Sequence, residues 1–281
     1  MSVLYIVSTP IGNLDDLTFR AVAVLKAADR VLAEDTRRTS ILFRRHGVST
    51  PLISAHEHNE AARARQLVGW LDAGETVALV SDAGTPLLSD PGARLVRAVI
   101  DGGHDVVPVP GASALLAALV ASGLEPEPFT FVGFVPRSGR SRTERLAMLA
   151  GLNHTAVLYE APSRLVALLR ELVEVCGAER PVAVARELTK MYESVVRGTL
   201  AEVLAEYEDG TVRGEVVVVL GGAEPAVPDI ADAAAVARTL LADGETPRSV
   251  ARELAQRLHI PRNEAYSLVL ALTEEDRQEE G

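Results

Sequence analysis

Regular alternation of short apolar runs with helical spacings constrains this chain more than any other feature of its sequence. Over the first 122 residues, Val3–Ser8, Val31–Ala33, Leu52-Ile53, Thr76–Ser81 and Asp105–Val109 read as buried strands. Helical patterns fall between them. Thr18 is placed to cap a helix carrying Ala21, Val22, Val24 and Leu25, and another helix runs through Ile41 and Leu42. A third opens at His56 and runs to Asp72, Pro91 sits where the first turn of a fourth is expected, and an Ala/Leu-rich helix ends near Ser122. Strand followed by helix five times predicts a parallel sheet with helices on both faces. Pro10, Glu34, Gly84 and Ser113 all fall where strands end, and open α/β sheets bind ligands at that carboxyl edge.

A Pro-containing linker, Glu125-Pro126-Glu127-Pro128, separates a second mixed unit. Its expected strands are Phe129–Gly133, Ala156–Tyr159, Val182–Ala185, Ser194–Arg197 and Glu215–Leu220, with helices around Arg142–Leu149, Ser163–Val175 and Leu200–Tyr207. After a linker at Gly221–Asp229, the last 50 residues read as helical, with Pro247–Leu258 and Pro261–Leu272 separated by His259-Ile260. The expected organisation is two α/β domains, 1–124 and 128–222, followed by a small helical module at 229–275.

Composition excludes several classes. With 48% hydrophobic and 24% charged residues the chain is neither disordered nor fibrous. No apolar run approaches the ~18 residues of a membrane span. The opening Met1–Val7 lacks a basic leader and reads as a strand, not a signal peptide. A single cysteine, Cys176, excludes an internal disulfide and a cysteine-rich zinc site, and the cytoplasm is the expected compartment. A net charge of −11 argues against non-specific coating of nucleic acid, and residues 222–281 alone hold 12 acidic against 6 basic side chains.

No glycine pair is spaced for a dinucleotide fingerprint, and there is neither a P-loop nor a G-x-S-x-G elbow. The strand-end loops combine single glycines with Pro, Thr, Ser and Ala, which suits a small ligand held by backbone groups. His56-Glu57-His58 lacks a nameable third ligand, so no metal is expected there. Glu34-Asp35-Thr36-Arg37 reads in two ways, as a helix cap with a local ion pair or as a cluster orienting a polar substrate. Lys190, one of only two lysines among 28 basic residues, is either an ordinary surface lysine or a group in a cleft. In a cleft it would act as a base or stabilise an alkoxide by its charge. The arginine-rich stretch Arg137–Arg145 reads in two ways, as a solvated helix entry or as a mobile basic loop that contacts phosphates, and the acidity of the rest of the chain favours the second. The terminal helix pair has a helix-turn-helix outline, but its acidic neighbourhood favours a packing or docking module over a DNA reader.

Five of these motifs occur in one order: Leu4–Leu14 with its Ser8-Thr9-Pro10-Ile11-Gly12-Asn13 core, Glu34-Asp35-Thr36-Arg37, His56-Glu57-His58-Asn59-Glu60, Ser81-Asp82-Ala83-Gly84-Thr85-Pro86, and Arg186-Glu187-Leu188-Thr189-Lys190. Together they resemble the ribosomal small-subunit methyltransferase I family of the tetrapyrrole-methylase superfamily, over roughly residues 1–222 and into the helical tail. The resemblance implies the superfamily's two α/β domains, a parallel five-stranded sheet followed by a mixed one, with S-adenosylmethionine in the cleft between them. It implies 2′-O-methylation of a cytidine in the decoding region of 16S rRNA within the small ribosomal subunit, by a homodimer, with no membrane or DNA partner. Carried onto matching positions, cofactor contacts fall on Pro10, Ala83, Gly84, Thr85, Leu88, Ser113, Ala114, Glu160 and Leu188. Thr85 stands where superfamily members carry an aspartate. Lys190, Glu34 and Asp35 are the catalytic candidates. Arg37, His56, Arg137, Arg140 and Arg142 are the substrate-binding candidates. The rival readings are a tetrapyrrole-precursor C-methyltransferase and a helix-turn-helix DNA-binding regulator.

Overall fold

A computed structural model describes residues 2–223, 230–257 and 261–279. The chain divides into two compact units, Met1–Gly222 and Ala223–Gly281.

The first unit opens with β1 (Val3–Val7), α1 (Phe19–Ala27), β2 (Arg30–Ala33), α2 (Thr36–His46), β3 (Leu52–Ser54), α3 (Glu60–Asp72), β4 (Val77–Val80), α4 (Ala93–Asp101), β5 (Asp105–Val109) and α5 (Ala114–Ser122). The five strands form one wholly parallel sheet in the order β3-β2-β4-β1-β5. Alternation along the strands feeds two cores. Val7, Val31, Ala33, Ala78 and Val80 meet Ala21, Leu25, Leu42 and Phe43 of α1 and α2 on one face. Leu4, Ile6, Leu32, Val77 and Leu79 meet Leu67, Leu71, Leu95 and Val99 of α3 and α4 on the other. Thr18 caps α1 as expected, accepting from the Ala21 N–H at 3.0 Å.

Two starts differ from the sequence reading. α3 begins at Glu60, because Asn59 Oδ1 accepts from the His56 N–H and holds residues 56–59 as a turn. α4 begins at Ala93, beyond Pro91, because Gly92 takes φ 127°. Glu60 reaches across from α3 to accept the N–H groups of Gly92 and Arg94 at 3.0 Å each, supplying the cap that α4 lacks in its own sequence.

The second sheet contains β6 (Phe129–Phe134), β7 (Thr155–Glu160), β8 (Pro181–Arg186), β9 (Ser194–Thr199) and β10 (Val216–Leu220), in the order β6-β7-β10-β8-β9. Only β6 and β7 run parallel; the other pairings are antiparallel. α6 (Arg140–Gly151), α7 (Leu165–Cys176) and α8 (Leu200–Glu208) cover one face through Leu146, Leu149, Leu168, Leu169, Leu172 and Val203. The other face is covered by α5. Leu115, Ala118 and Leu119 pack on Val157, Ala183, Ala185, Val217 and Val219. The helix that the sequence reading counts with the first sheet therefore lays its buried side on the second. β10, with five consecutive buried apolar residues, is the strand this double coverage requires.

The second unit holds α9 (Ile230–Ala242), α10 (Pro247–Arg257) and α11 (Arg262–Glu279), around a core of Ala237, Val250, Leu254, Ala265, Val269 and Leu272. Of the expected linker Gly221–Asp229, residues 221–223 form neither helix nor strand and 224–229 lie outside the described residues, as does the His259-Ile260 turn. Among the described residues no helix is long and apolar enough to cross a membrane.

Candidate active site

The loops after β1, β4 and β5 are tied into one rim. Thr9 and Gly84 exchange backbone hydrogen bonds of 2.9 and 3.0 Å, and the Ser8 N–H donates to Val109 at 3.2 Å. Ser8 Oγ donates to Thr85 Oγ1, which in turn donates to the Ala112 carbonyl at 3.3 Å. Thr85 is thus a strut between loops. The β1 loop also meets a loop of the second sheet: the Asn13 N–H donates to Thr189 Oγ1 at 3.0 Å, and a Cβ on Gly12 would lie 2.5 Å from Lys190 Cγ. Only glycine permits that approach.

Two hollows open at this rim, of about 370 and 220 Å³, sharing Ile11, Ala83 and Glu215. The larger is walled on one side by Gly84, Thr85, Leu88, Ser113 and Ala114, and on the other by Phe134, Tyr159, Glu160 and Val216. Its size and mixed lining are those of a small-molecule site. The smaller contains Pro10, Arg38, Asp82 and Lys190. Nearly every position expected to contact a cofactor lines one hollow or the other. Leu188 does not; it packs against the α5 core.

Asp90 lines the larger hollow and was not singled out from sequence. Burial, the neighbouring Glu34 carboxylate and Asp82 together push it up to about 6, against an opposing hydrogen bond from Ser81. Glu34 is also raised, by burial first and then by Asp82, while Arg38 and His56 pull it back. Asp35 behaves oppositely. Arg37 donates to it at 3.0 and 2.7 Å and its carboxylate accepts the Arg37 N–H, so it titrates at about 2. The Asp35 N–H donates to Asp82 Oδ1 at 2.9 Å. Asp35 and Arg37 thus realise the cap-and-pair reading of that motif.

On the facing wall, Lys190 Nζ donates to Glu187 at 2.8 Å and Glu215 at 3.0 Å. Burial would lower the lysine, but these hydrogen bonds outweigh it and the net shift is upward. The geometry keeps Lys190 a cation, so of its two expected roles the base is disfavoured and the charge remains. Glu160 lies with its side chain fully buried: Oε1 takes the Arg164 guanidinium and the Ala161 N–H, while Oε2 has no partner. The non-glycine residues with left-handed backbone among those described are Leu87, Ser89, Glu187 and Thr189, in the two loops that end on Asp90 and Lys190.

His56 carries a buried Nδ1 without a partner, and its ring meets His58 edge-on at 5.9 Å. Among the described residues no group of three ligating side chains could hold a metal. The arginine stretch requires correction. From Arg140 onward it is the first turn of α6, and Arg142 faces inward, bound by Glu171 and donating to the Pro136 carbonyl at 2.7 Å. A buried, ion-paired guanidinium is not available to a phosphate. Arg137 is exposed beside a hollow containing Phe134 and Ala161, and Arg140 is exposed and paired with Glu144 at 2.6 Å.

Residues 3–204 match the tetrapyrrole (corrin/porphyrin) methylases. A protein of Synechocystis sp. named ribosomal RNA small subunit methyltransferase I is 45% identical over 97% of this chain and 99% of its own length. The chain belongs to the ribosomal RNA small subunit methyltransferase I family. A relative of the same name from Micromonospora olivasterospora is 43% identical over 96% of this chain and 87% of its own. That from Bacillus subtilis is 48% identical over 63% of this chain and 61% of its own. Among solved structures, the methyltransferase CobJ superposes with a TM-score of 0.61 at 21% identity, covering 79% of this chain and 95% of the other. The Thermus thermophilus uroporphyrin-III C-methyl transferase, solved with S-adenyl homocysteine, gives 0.58 at 24% identity, covering 79% and 97%. These likenesses establish the tetrapyrrole-methylase fold, and family membership makes the chain a methyltransferase.

Proposed function

We propose that this protein transfers a methyl group from S-adenosylmethionine to the 2′-hydroxyl of a cytidine in the decoding region of 16S rRNA, acting on the small ribosomal subunit as a cytoplasmic homodimer. The observation that carries the reading is the end-to-end similarity to relatives named for small-subunit rRNA methylation. The larger hollow fits the donor. Its apolar walls suit a nucleoside and a thioether, and the unpartnered, buried Oε2 of Glu160 is an acceptor awaiting an N–H or O–H donor. The bound donor supplies an electrophilic methyl carbon.

The chain's own residues then have two tasks. One is alignment of the acceptor, which contributes up to ~7–11 kcal/mol in favourable cases. Arg38 lines the smaller hollow 3.6 Å from Asp82, Arg37 is exposed and held by Asp35, Arg137 is exposed beside Phe134 and Ala161, and His56 flanks Glu34. The other is removal of the hydroxyl proton, worth ~10²–10⁴-fold. Asp90 takes that role best, with Glu34 behind it. Asp35 is too weak a base, and Lys190 acts as a fixed cation near the developing alkoxide.

The test is transfer from labelled S-adenosylmethionine to small subunits lacking the modification, with nucleosides read by mass spectrometry. The expected product is 2′-O-methylcytidine, formed only with enzyme. Labelling of a tetrapyrrole precursor in place of RNA would overturn the proposal.

A further inference from the structure

The acidic tail unit gathers its arginines in one place. Among 12 acidic and 6 basic residues from 222 onward, Arg248, Arg252 and Arg262 line a single open groove of about 890 Å³ between α10 and the start of α11. Among the described residues no acidic side chain lines it, and Asn263 and Tyr266 complete the α11 side. Arg248 and Arg252 stand four residues apart on one helical face, as do Arg262 and Tyr266. All five side chains are exposed, Tyr266 at 45%, and none of the three arginines is ion-paired among the described residues.

That arrangement is unfavourable for folding alone. Like charges at this spacing repel by a few tenths of a kcal/mol, and partners are plentiful in so acidic a segment. The sequence instead places five acidic residues between Glu274 and Glu280. Twelve residues of helix separate Arg262 from Glu274, about 18 Å along the axis, which exceeds the ~8 Å screening length at cellular salt. Glu245, Glu253 and Glu264 lie near these arginines in sequence but outside the groove's lining, so the positive field is confined to the groove itself.

We infer that this groove binds single-stranded RNA of the same substrate, its arginines on phosphates and Tyr266 beneath a base. The inference rests on the RNA-methylating reading above. Guanidinium groups match phosphate oxygens, an exposed aromatic offers a sequence-tolerant stacking platform, and Asn263 can bond a base edge. An acidic peptide would use the cations but leave the aromatic and the amide idle.

The experiment compares the full chain with its Arg248→Gln/Arg252→Gln/Arg262→Gln variant, measuring binding to protein-free small-subunit rRNA and to assembled subunits across a salt series. The variant should bind both about 10- to 100-fold more weakly. Its log Kd against log salt slope should shrink by about 2, as three single-strand phosphate contacts dictate. S-adenosylhomocysteine binding and kcat at saturating RNA should not change. Tyr266→Ala should weaken RNA binding about tenfold and Tyr266→Phe should not. If the triple variant misfolds, Arg252→Gln alone should give about a third of the slope change. Equal affinity and slope for wild type and variant would overturn the proposal. So would weakened binding to subunits with unchanged binding to free rRNA, which would assign the groove to a ribosomal protein. A wild-type chain that binds S-adenosylhomocysteine but neither RNA form would instead overturn the RNA-methylating reading itself.

Discussion

The two walls of the cleft treat carboxylates in opposite ways. On the first-sheet wall, Glu34, Asp82 and Asp90 crowd one another, and Glu34 and Asp90 are driven up, by burial first and mutual repulsion second. On the second-sheet wall each acid near the cleft has a cation. Lys190 lowers Glu187 through a direct hydrogen bond, and Arg164 takes one oxygen of Glu160. The paired wall is set for holding a ligand, with one acceptor left open on Glu160. The crowded wall holds charge in an unfavourable state, which is where a group able to accept a proton near neutral pH is expected. On the proposed reading proton transfer falls to the first wall, while the donor hollow is lined from both.

The sharpest way to break that contrast is Asp90→Asn. Turnover should fall by ~10²–10⁴-fold with S-adenosylhomocysteine affinity nearly unchanged, measured by single-turnover transfer and calorimetry. The same substitution should raise Tm at pH 8. The folded chain holds the Asp90 proton up to about pH 6 and the unfolded chain only below the ordinary 3.8. The group's stabilising contribution is therefore complete below about pH 4 and is lost as pH rises through 6, leaving an unfavourable ionised carboxylate that asparagine removes. Lys190→Ala comes next. Loss of a fixed cation beside the acceptor should lower kcat about 10²-fold without weakening the donor, and retained activity would remove Lys190 from the chemistry. Glu160→Gln should act on binding alone, weakening S-adenosylhomocysteine about tenfold in calorimetry with kcat preserved at saturation. Smaller for catalysis is Arg142→Ala, which strands Glu171 and should cost about 2–4 kcal/mol in denaturant unfolding while leaving the salt slope of RNA binding intact. Arg137→Gln should do the reverse.

The walls also differ in how far they were legible. A parallel sheet delivers every strand's carboxyl end to one edge, so Gly84 and Ser113 are readable from strand ends and punctuation, and their neighbours Thr85 and Ala114 follow from the family resemblance. In the mixed sheet, strands run both ways. Glu160 at the end of β7 lies opposite Val216 at the start of β10, a juxtaposition no local signal announces. Tyr159 and Phe134 read as ordinary strand residues, and Glu160 entered only through family resemblance. Asp90 is hidden differently: beside Pro91 it passes for loop punctuation, and its shifted titration arises from burial first and then from Glu34 and Asp82, distant in sequence. The burial of Arg142 is readable in the sequence. Residues 142, 146 and 149 follow one helical stripe, and Leu146 and Leu149 are core. The placement of α5 on the second sheet was not readable, because its Ala/Leu sequence suits either partner.

The measurement that bears most directly on the division between the walls is the pH dependence of single-turnover methyl transfer to small ribosomal subunits, wild type beside Asp90→Asn. The wild-type rate should rise tenfold per pH unit at low pH and level off above about 6, and the residual rate of the variant should lack that limb. A wild-type profile flat from pH 5 to 8, or the same limb in both proteins, would contradict the assignment of proton transfer to the crowded wall.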